Sequence, residues 1–256
     1  MPGINVLPET ISSEAMTSVG AVLTMGEASN LQGIGVHGDN IAGHADALEL
    51  SGSWIQLASI LAFSGGTYSV NCPSGAPGYQ GVQIRNSLVG YSKGDGYFDG
   101  CADSNAYGTF FYANAGNGAD AYGDKTTWIG STFEQNTGYG LSLYNSQRWV
   151  IVGNHIVDNY GPGISLNGFS AIFDSLVLTG NDFSDNGRAQ ASQQDCHIFG
   201  SGPLGDVNMS GNTYQTGTGG PSGATVPNYV FCDSTSSGPA FNKSSIAAAF
   251  SQQAIG

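Results

Sequence analysis

Apolar and polar residues alternate in short runs along this chain, as in Leu141-Ser142-Leu143-Tyr144 and Ile164-Ser165-Leu166-Asn167. A period of two marks strands with one buried face. A longer period overlies the short one. Leu88, Phe111, Phe133, Ile156, Phe183 and Tyr214 recur at intervals of 23, 22, 23, 27 and 31 residues. The longer later intervals place insertions at 187–195 and 215–228, both polar or glycine-rich. An Asn-x-Gly-x-Gly pattern begins at Asn114, Asn136 and Asn159, with intervals of 22 and 23 residues. Asn186 extends that Asn column, and Tyr91-Ser92-Lys93-Gly94-Asp95-Gly96 keeps its glycines without the Asn. A second Asn column reads Asn154, Asn181 and Asn212, with Asn86 further up.

A fixed period in the low twenties predicts a solenoid. Short parallel strands coil, each turn ~4.8 Å above the last, so equivalent residues stack in columns. Leu, Ile and Phe columns fill the interior. Asn columns occupy the bends, where the amide bonds to backbone and to the Asn above and below and tolerates a left-handed backbone. The Gly-x-Gly pair is expected to supply positive φ at the following corner. Residues 31–240 form the solenoid in this reading, with two or three irregular coils over 31–80. Residues 1–30 cap its open N-terminal end, and 241–256, with Ser244-Ser245 before Ile246-Ala247-Ala248-Ala249-Phe250, read as an N-capped helix closing the other. Caps are needed because solenoid ends expose apolar side chains and unpaired strand edges.

Composition narrows the partners. Gly is 40 of 256 residues, which suits many tight turns. A net charge of −13 with only six Lys plus Arg disfavours nucleic acid and anionic membranes. No apolar run is long enough for a transmembrane helix. Cys72, Cys101, Cys196 and Cys232 form no CxxC pair; Cys72–Cys101 and Cys196–Cys232 are candidate disulfides between neighbouring coils, with inert thiols the alternative.

Repeats such as Ile151-Val152-Gly153-Asn154-His155-Ile156-Val157-Asp158-Asn159 and Leu178-Thr179-Gly180-Asn181-Asp182-Phe183-Ser184-Asp185-Asn186 resemble the right-handed parallel β-helix of the pectate-lyase-like superfamily. The resemblance covers roughly 30–240. It implies an all-β, single-stranded right-handed parallel β-helix with coils of about 22–30 residues. It also implies an extracellular or virion-surface protein that binds a polysaccharide or oligosaccharide and cleaves or modifies it as a glycoside hydrolase or lyase. Membership of the superfamily also admits a non-catalytic adhesin or virion spike, and a homotrimer. No lyase, polygalacturonase or tailspike motif is present.

Sites in such proteins lie on the outer face of a sheet. If Phe133, Ile156 and Phe183 point inward, one outward column is Thr132, His155, Asp182, Thr213, and the next is Glu134, Val157, Ser184, Gln215. Glu134, His155 and Asp182 are therefore the candidate acid–base group, flanked by Asp158 and Asp185; polar residues on a solvated face are the alternative. Glu134 and Asp182, two coils apart, put their carboxyls about 10 Å apart, close to the ~6.5–9.5 Å of inverting hydrolysis. Tyr122 and Tyr144 form an outward aromatic column that suits a sugar face or, equally, a plain cross-strand pair. Asp95, Asp99, Asp103 and Asp120, with Lys93 and Lys125, resemble the residue types of calcium-dependent lyases. The expected cofactor is none, with Ca2+ as the alternative.

Overall fold

The computed structural model describes residues 9–12, 21–38, 46–73, 79–144, 148–167, 173–187, 196–201, 204–215 and 229–233. Among them every regular element is a strand, and the strands fall into three parallel sheets. Sheet A has nine strands, from Glu9–Ser12 to Thr213–Tyr214. Sheet B has nine, from Ala21–Met25 to Tyr229–Asp233. Sheet C has eight, from Asn30–Gln32 to Leu204–Ser210. One coil visits all three: Thr127–Ile129 in sheet C, Thr132–Glu134 in sheet A, then Leu141–Tyr144 in sheet B. Each strand pairs with its equivalent one coil away, so the architecture is the expected parallel β-helix. The sheets run regularly through 46–73 as well. Strands Glu9–Ser12 and Ala21–Met25 carry sheets A and B into the N-terminal segment. The expected C-terminal helix lies outside the described residues.

The inner faces build a continuous core. Phe111, Phe133, Ile156 and Phe183 are fully buried in sheet A, and Trp128, Ile151 and Leu178 nearly so in sheet C. Each such side chain contributes about 1.5–3 kcal/mol through burial. Phe111 and Phe133 stack at 4.8 Å and 10°, the spacing the strands themselves impose. One member of the expected apolar column is corrected. Val89, not Leu88, pairs with Phe111, and Leu88 points outward. Two adjacent apolar residues in a period-2 strand leave this choice to the register.

The Asn columns are hydrogen-bond ladders. Asn114 Nδ2 donates to Asn136 Oδ1 at 2.8 Å, Asn136 to Asn159 at 2.9 Å, and Asn159 to Asn186 at 2.7 Å. Each acceptor also takes the backbone N–H of the preceding Asn. The second amide hydrogens of Asn136 and Asn159 go to Phe111 and Phe133 carbonyls. Thus the buried amides of Asn136 and Asn159 are fully satisfied. Ser92 holds the ladder position upstream, with its N–H on Asn114 Oδ1. The second ladder, Asn154–Asn181–Asn212, repeats the scheme. Asn86 is not part of it. Thr109 and Ser131 continue that column, while Asn86 sits at the corner with φ 49°.

Corner backbone also departs from expectation. At the turn from sheet A to sheet B the left-handed non-glycine residues are Ser64, Tyr91, Ala113, Gln135, Asp158 and Asp185. Five of the six precede a ladder residue, and the Gly-x-Gly glycines are absent from the positive-φ set. Those glycines are needed for space. A Cβ on Gly118 would lie 2.5 Å from the Gly140 carbonyl oxygen, and one on Gly140 would lie 2.7 Å from that of Gly163.

Cys72 and Cys101 form the expected disulfide, with Cα atoms 5.9 Å apart, tying successive coils. Its 29-residue separation corresponds to about 3.6 kcal/mol of lost unfolded-chain entropy. Cys196 is also disulfide-bonded; the Cys232 side chain lies outside the described residues.

Candidate functional site

The outer face of sheet A carries the acid–base group read from the sequence. His155 and Asp182 are register partners, with Nδ1 and Oδ2 3.5 Å apart. Thr213 donates its hydroxyl to Asp182 Oδ1 at 2.7 Å. Glu134 pairs with Val157, one column over and two coils from Asp182. The His155 and Asp182 side chains are 64% and 48% exposed, so water screens the pair to about 0–1 kcal/mol. Asp158 and Asp185 are corner residues with φ 59° and 51°. Tyr122 and Tyr144 belong to sheet B, so the expected acid–base and aromatic groups lie on different sheets.

The outer face of sheet B is built differently. Its central column, fixed by strand register, runs Glu49, Asn71, Phe98, Asp120, Ser142, Ser165 and Phe199. These residues face away from the core, yet Asp120 is only 7% exposed and Ser142 and Ser165 are fully buried. Flanking columns cover them. On one side stand Asp46, Tyr68, Asp95, Asn117 and Tyr139, on the other Tyr122, Tyr144 and Asn167. Backbone amides hold the first set. Asp46 Oδ1 accepts Tyr68 N–H at 2.8 Å, and its Oδ2 accepts Asn71 Nδ2 at 2.8 Å. Asp95 accepts Asn117 N–H at 2.6 Å, and Asn117 Oδ1 accepts Tyr139 N–H at 2.8 Å. Asp95, Asn117 and Tyr139 are the middle residues of successive Gly-x-Gly units. The repeat therefore aims one variable side chain per coil at this face.

Burial and like charge tune the carboxyls. Burial, then the Asp95 charge, pushes Asp120 up to about 7, against a hydrogen bond from Ser142 that lowers it. Asp120 Oδ1 has no partner, and neither does Asn71 Oδ1. Burial also raises Asp95 and Asp46. The Tyr122 phenol is raised by burial and then by the Asp120 charge. Asp120 is thus an outward carboxyl, shielded from bulk water and held well above the usual carboxylate range, with one oxygen that meets no donor. It can donate or accept a proton and has an unmet hydrogen bond to offer a ligand.

An aromatic run crosses the same face. Ring centroids are 5.0 Å apart from Tyr68 to Phe98, 5.3 Å from Phe98 to Tyr122, and 4.3 Å from Tyr122 to Tyr144. The last pair is parallel to 2°. Tyr144 covers one face of Tyr122, and Phe98 meets the Tyr122 ring at a 39° tilt; Tyr122 stays 44% exposed.

The four-Asp stretch is dispersed. Asp99 points inward, is fully buried, and accepts bonds from Tyr97 Oη at 2.9 Å, from Ser104 Oγ and from Cys101 N–H at 3.3 Å. Burial pushes it up to about 6. Asp103 sits at the next corner, 3.8 Å from Lys125. Among the described residues no group of three or more His, Cys, Asp or Glu is placed to hold a metal. In the sequence Asp120 and Asp95 stand out only as members of this stretch, and Asp46 only beside His37, Asp39 and His44 in a glycine-rich segment; Tyr68 and Phe98 carry no mark. The signal that finds them is register: they share columns with Tyr139 and Ser142.

The comparisons agree with this architecture. The chain matches the family model described as "Right handed beta helix region" over residues 55–225. No curated protein matches it. Among solved structures, the enzymatically active domain of tailspike protein 2 from bacteriophage CBA120 is similar, with a TM-score of 0.60 and 17% identity over 84% of this chain and 36% of that one. The full-length tailspike protein 2 of an Escherichia coli O157:H7 bacteriophage gives a TM-score of 0.54 and 15% identity, over 85% and 37%. Pectate lyase Pel9A gives 0.53 and 14%, over 91% and 68%. The chain spans little more than a third of the tailspike chains it matches. With three stacked parallel sheets, buried Asn ladders and a family match over most of its length, the chain belongs to the right-handed β-helix family.

Proposed function

We propose that this chain is a carbohydrate-binding β-helix protein whose glycan site is the outer face of sheet B, and that Asp120 supplies acid–base chemistry there. The observation that carries this reading is Asp120 itself: outward, 7% exposed, with Oδ1 unpaired, two residues from the exposed Tyr122. A sugar hydroxyl satisfies that oxygen, and Tyr122 and Tyr144 add hydroxyls at the rim. In hydrolysis, protonated Asp120 gives its proton to the glycosidic oxygen as the C–O bond breaks. Asp95 takes a proton from the water that forms the new C–O bond. The likeness to tailspike protein 2 and pectate lyase Pel9A supports a polysaccharide target and an extracellular or virion-surface setting. The Glu134, His155 and Asp182 group on sheet A is a second reading, favoured by the Thr213 bond that orients Asp182 toward His155.

A glycan array followed by product analysis tests both. Asp120→Asn should lower binding about 10-fold and any turnover by ~10² or more, with Asp182→Asn near wild type. The reverse pattern moves the site to sheet A. New reducing ends or unsaturated products would identify hydrolysis or elimination, and binding with neither would leave a non-catalytic adhesin.

A further inference from the structure

We infer that the sheet B site selects glycans bearing free amino groups, in preference to neutral or uronate chains; this rests on the sheet B site proposed above. The strands of this sheet contribute Asp46, Glu49 and Asp120 to the outer face or its rim and no Lys or Arg. Asp95 joins them from the preceding corner. Of the described cations, Lys125 pairs with Asp103, Arg148 with Asp124, and Arg85 with Gln83 and the Tyr107 ring, while the exposed Lys93 stands two residues before Asp95 at the rim.

Acidity alone does not define a ligand, but the unpaired atoms do. Asp120 Oδ1 and Asn71 Oδ1 are buried acceptors without donors, two coils apart in one column. Both call for N–H or O–H groups from outside. An ammonium brings three donors and a positive charge together, in a shielded site where charge pairing is strong. It also relieves the repulsion between Asp95 and Asp120 that the folded chain otherwise meets by holding a proton. A uronate carboxylate would instead add negative charge to a face that already repels it. A hydroxyl satisfies the oxygen without relieving that repulsion. The aromatic run, with ring edges and phenol hydroxyls outward, offers further contacts that do not depend on the sugar's charge.

The test compares three probes of equal length by calorimetry at a pH where the amine is protonated: a glucosamine oligomer, its N-acetylated counterpart and an oligogalacturonate. The glucosamine oligomer should bind at least ~10-fold more tightly than either. Asp120→Asn and Glu49→Gln should each reduce that preference several-fold, while Gln56→Ala, exposed on sheet C, leaves it unchanged, with thermal melts confirming that each variant folds. Equal or tighter binding of the acetylated oligomer or the galacturonate overturns the inference; if Asp120→Asn still abolishes that binding, the sheet B site itself survives. Tight binding of the glucosamine oligomer that ignores Asp120→Asn and Glu49→Gln is diffuse polycation adsorption and also overturns it. If no glycan is weakened by Asp120→Asn, the inference and the site fall together.

Discussion

Tyr122 and Tyr144 lie parallel to within 2°, with ring centroids 4.3 Å apart, one coil above the other. Stacking along the helix axis uses the facing ring faces, and the Tyr122 hydroxyl bonds to that of Tyr144, so the pair offers a ligand its edges and the remaining capacity of two linked hydroxyls. Glycan contact at these residues should therefore depend on the hydroxyls. Tyr144→Phe should weaken glycan binding about 5-fold, the worth of roughly one hydrogen bond, and Tyr122→Phe should act similarly. A ring-face platform would instead tolerate Phe and suffer only with Ala, which titration of the two Phe variants would reveal.

Stability should fall as pH rises. Asp99 and Asp120 have folded values of about 6 and about 7, both above the unfolded 3.8. Their protonated forms are favoured by folding, so this contribution is full below about pH 4. It is lost as pH climbs through 6 and 7. For Asp99 the loss is about 3 kcal/mol. Thermal melts from pH 4 to 8 should show a declining Tm, with a shallower decline in Asp99→Asn and in Asp120→Asn. A Tm that rises over this range, or variants with the wild-type slope, would contradict these assignments.

The Asn ladder should be strongly cooperative. Asn136→Ala removes the acceptor for Asn114 and the donor to Asn159, leaving buried polar groups unpaired. A loss of about 2–4 kcal/mol is expected in urea melts. The exposed Thr137→Ala should cost under about 0.5 kcal/mol.

Gly140→Ala tests the role of the repeat glycines. Its Cβ would meet the Gly163 carbonyl oxygen at 2.7 Å and Asn159 Nδ2 at 3.0 Å. The coils must separate locally, at a cost of about 1–3 kcal/mol. Gly153→Ala meets nothing within 4 Å, but its φ of 63° imposes backbone strain of about 1–2 kcal/mol. Combining each with the adjacent ladder change separates the two: only Gly140→Ala should be non-additive with Asn159→Ala.

The sequence alone determined the solenoid, its period, the inward residues Phe111, Phe133, Ile156 and Phe183, and the outward partners His155 and Asp182. These follow from local alternation and a fixed repeat, which stacking must respect. It could not choose between Leu88 and Val89, or between Asn86 and Ser87, whose hydroxyl takes the Ile60 N–H in the column of Thr109, because one residue of slip in a three-residue strand leaves the pattern nearly unchanged. The tertiary structure decided which columns share a face. Corner geometry places Glu134 on sheet A and Tyr122 on sheet B, although only twelve residues separate them. It also separates Asp99, inside the core, from Asp120, outside it and shielded by flanking columns. Charge, burial and unpaired oxygens act through space, so the raised Asp120 carboxyl arises only once the flanking columns bury it and Asp95, a coil away, is set beside it.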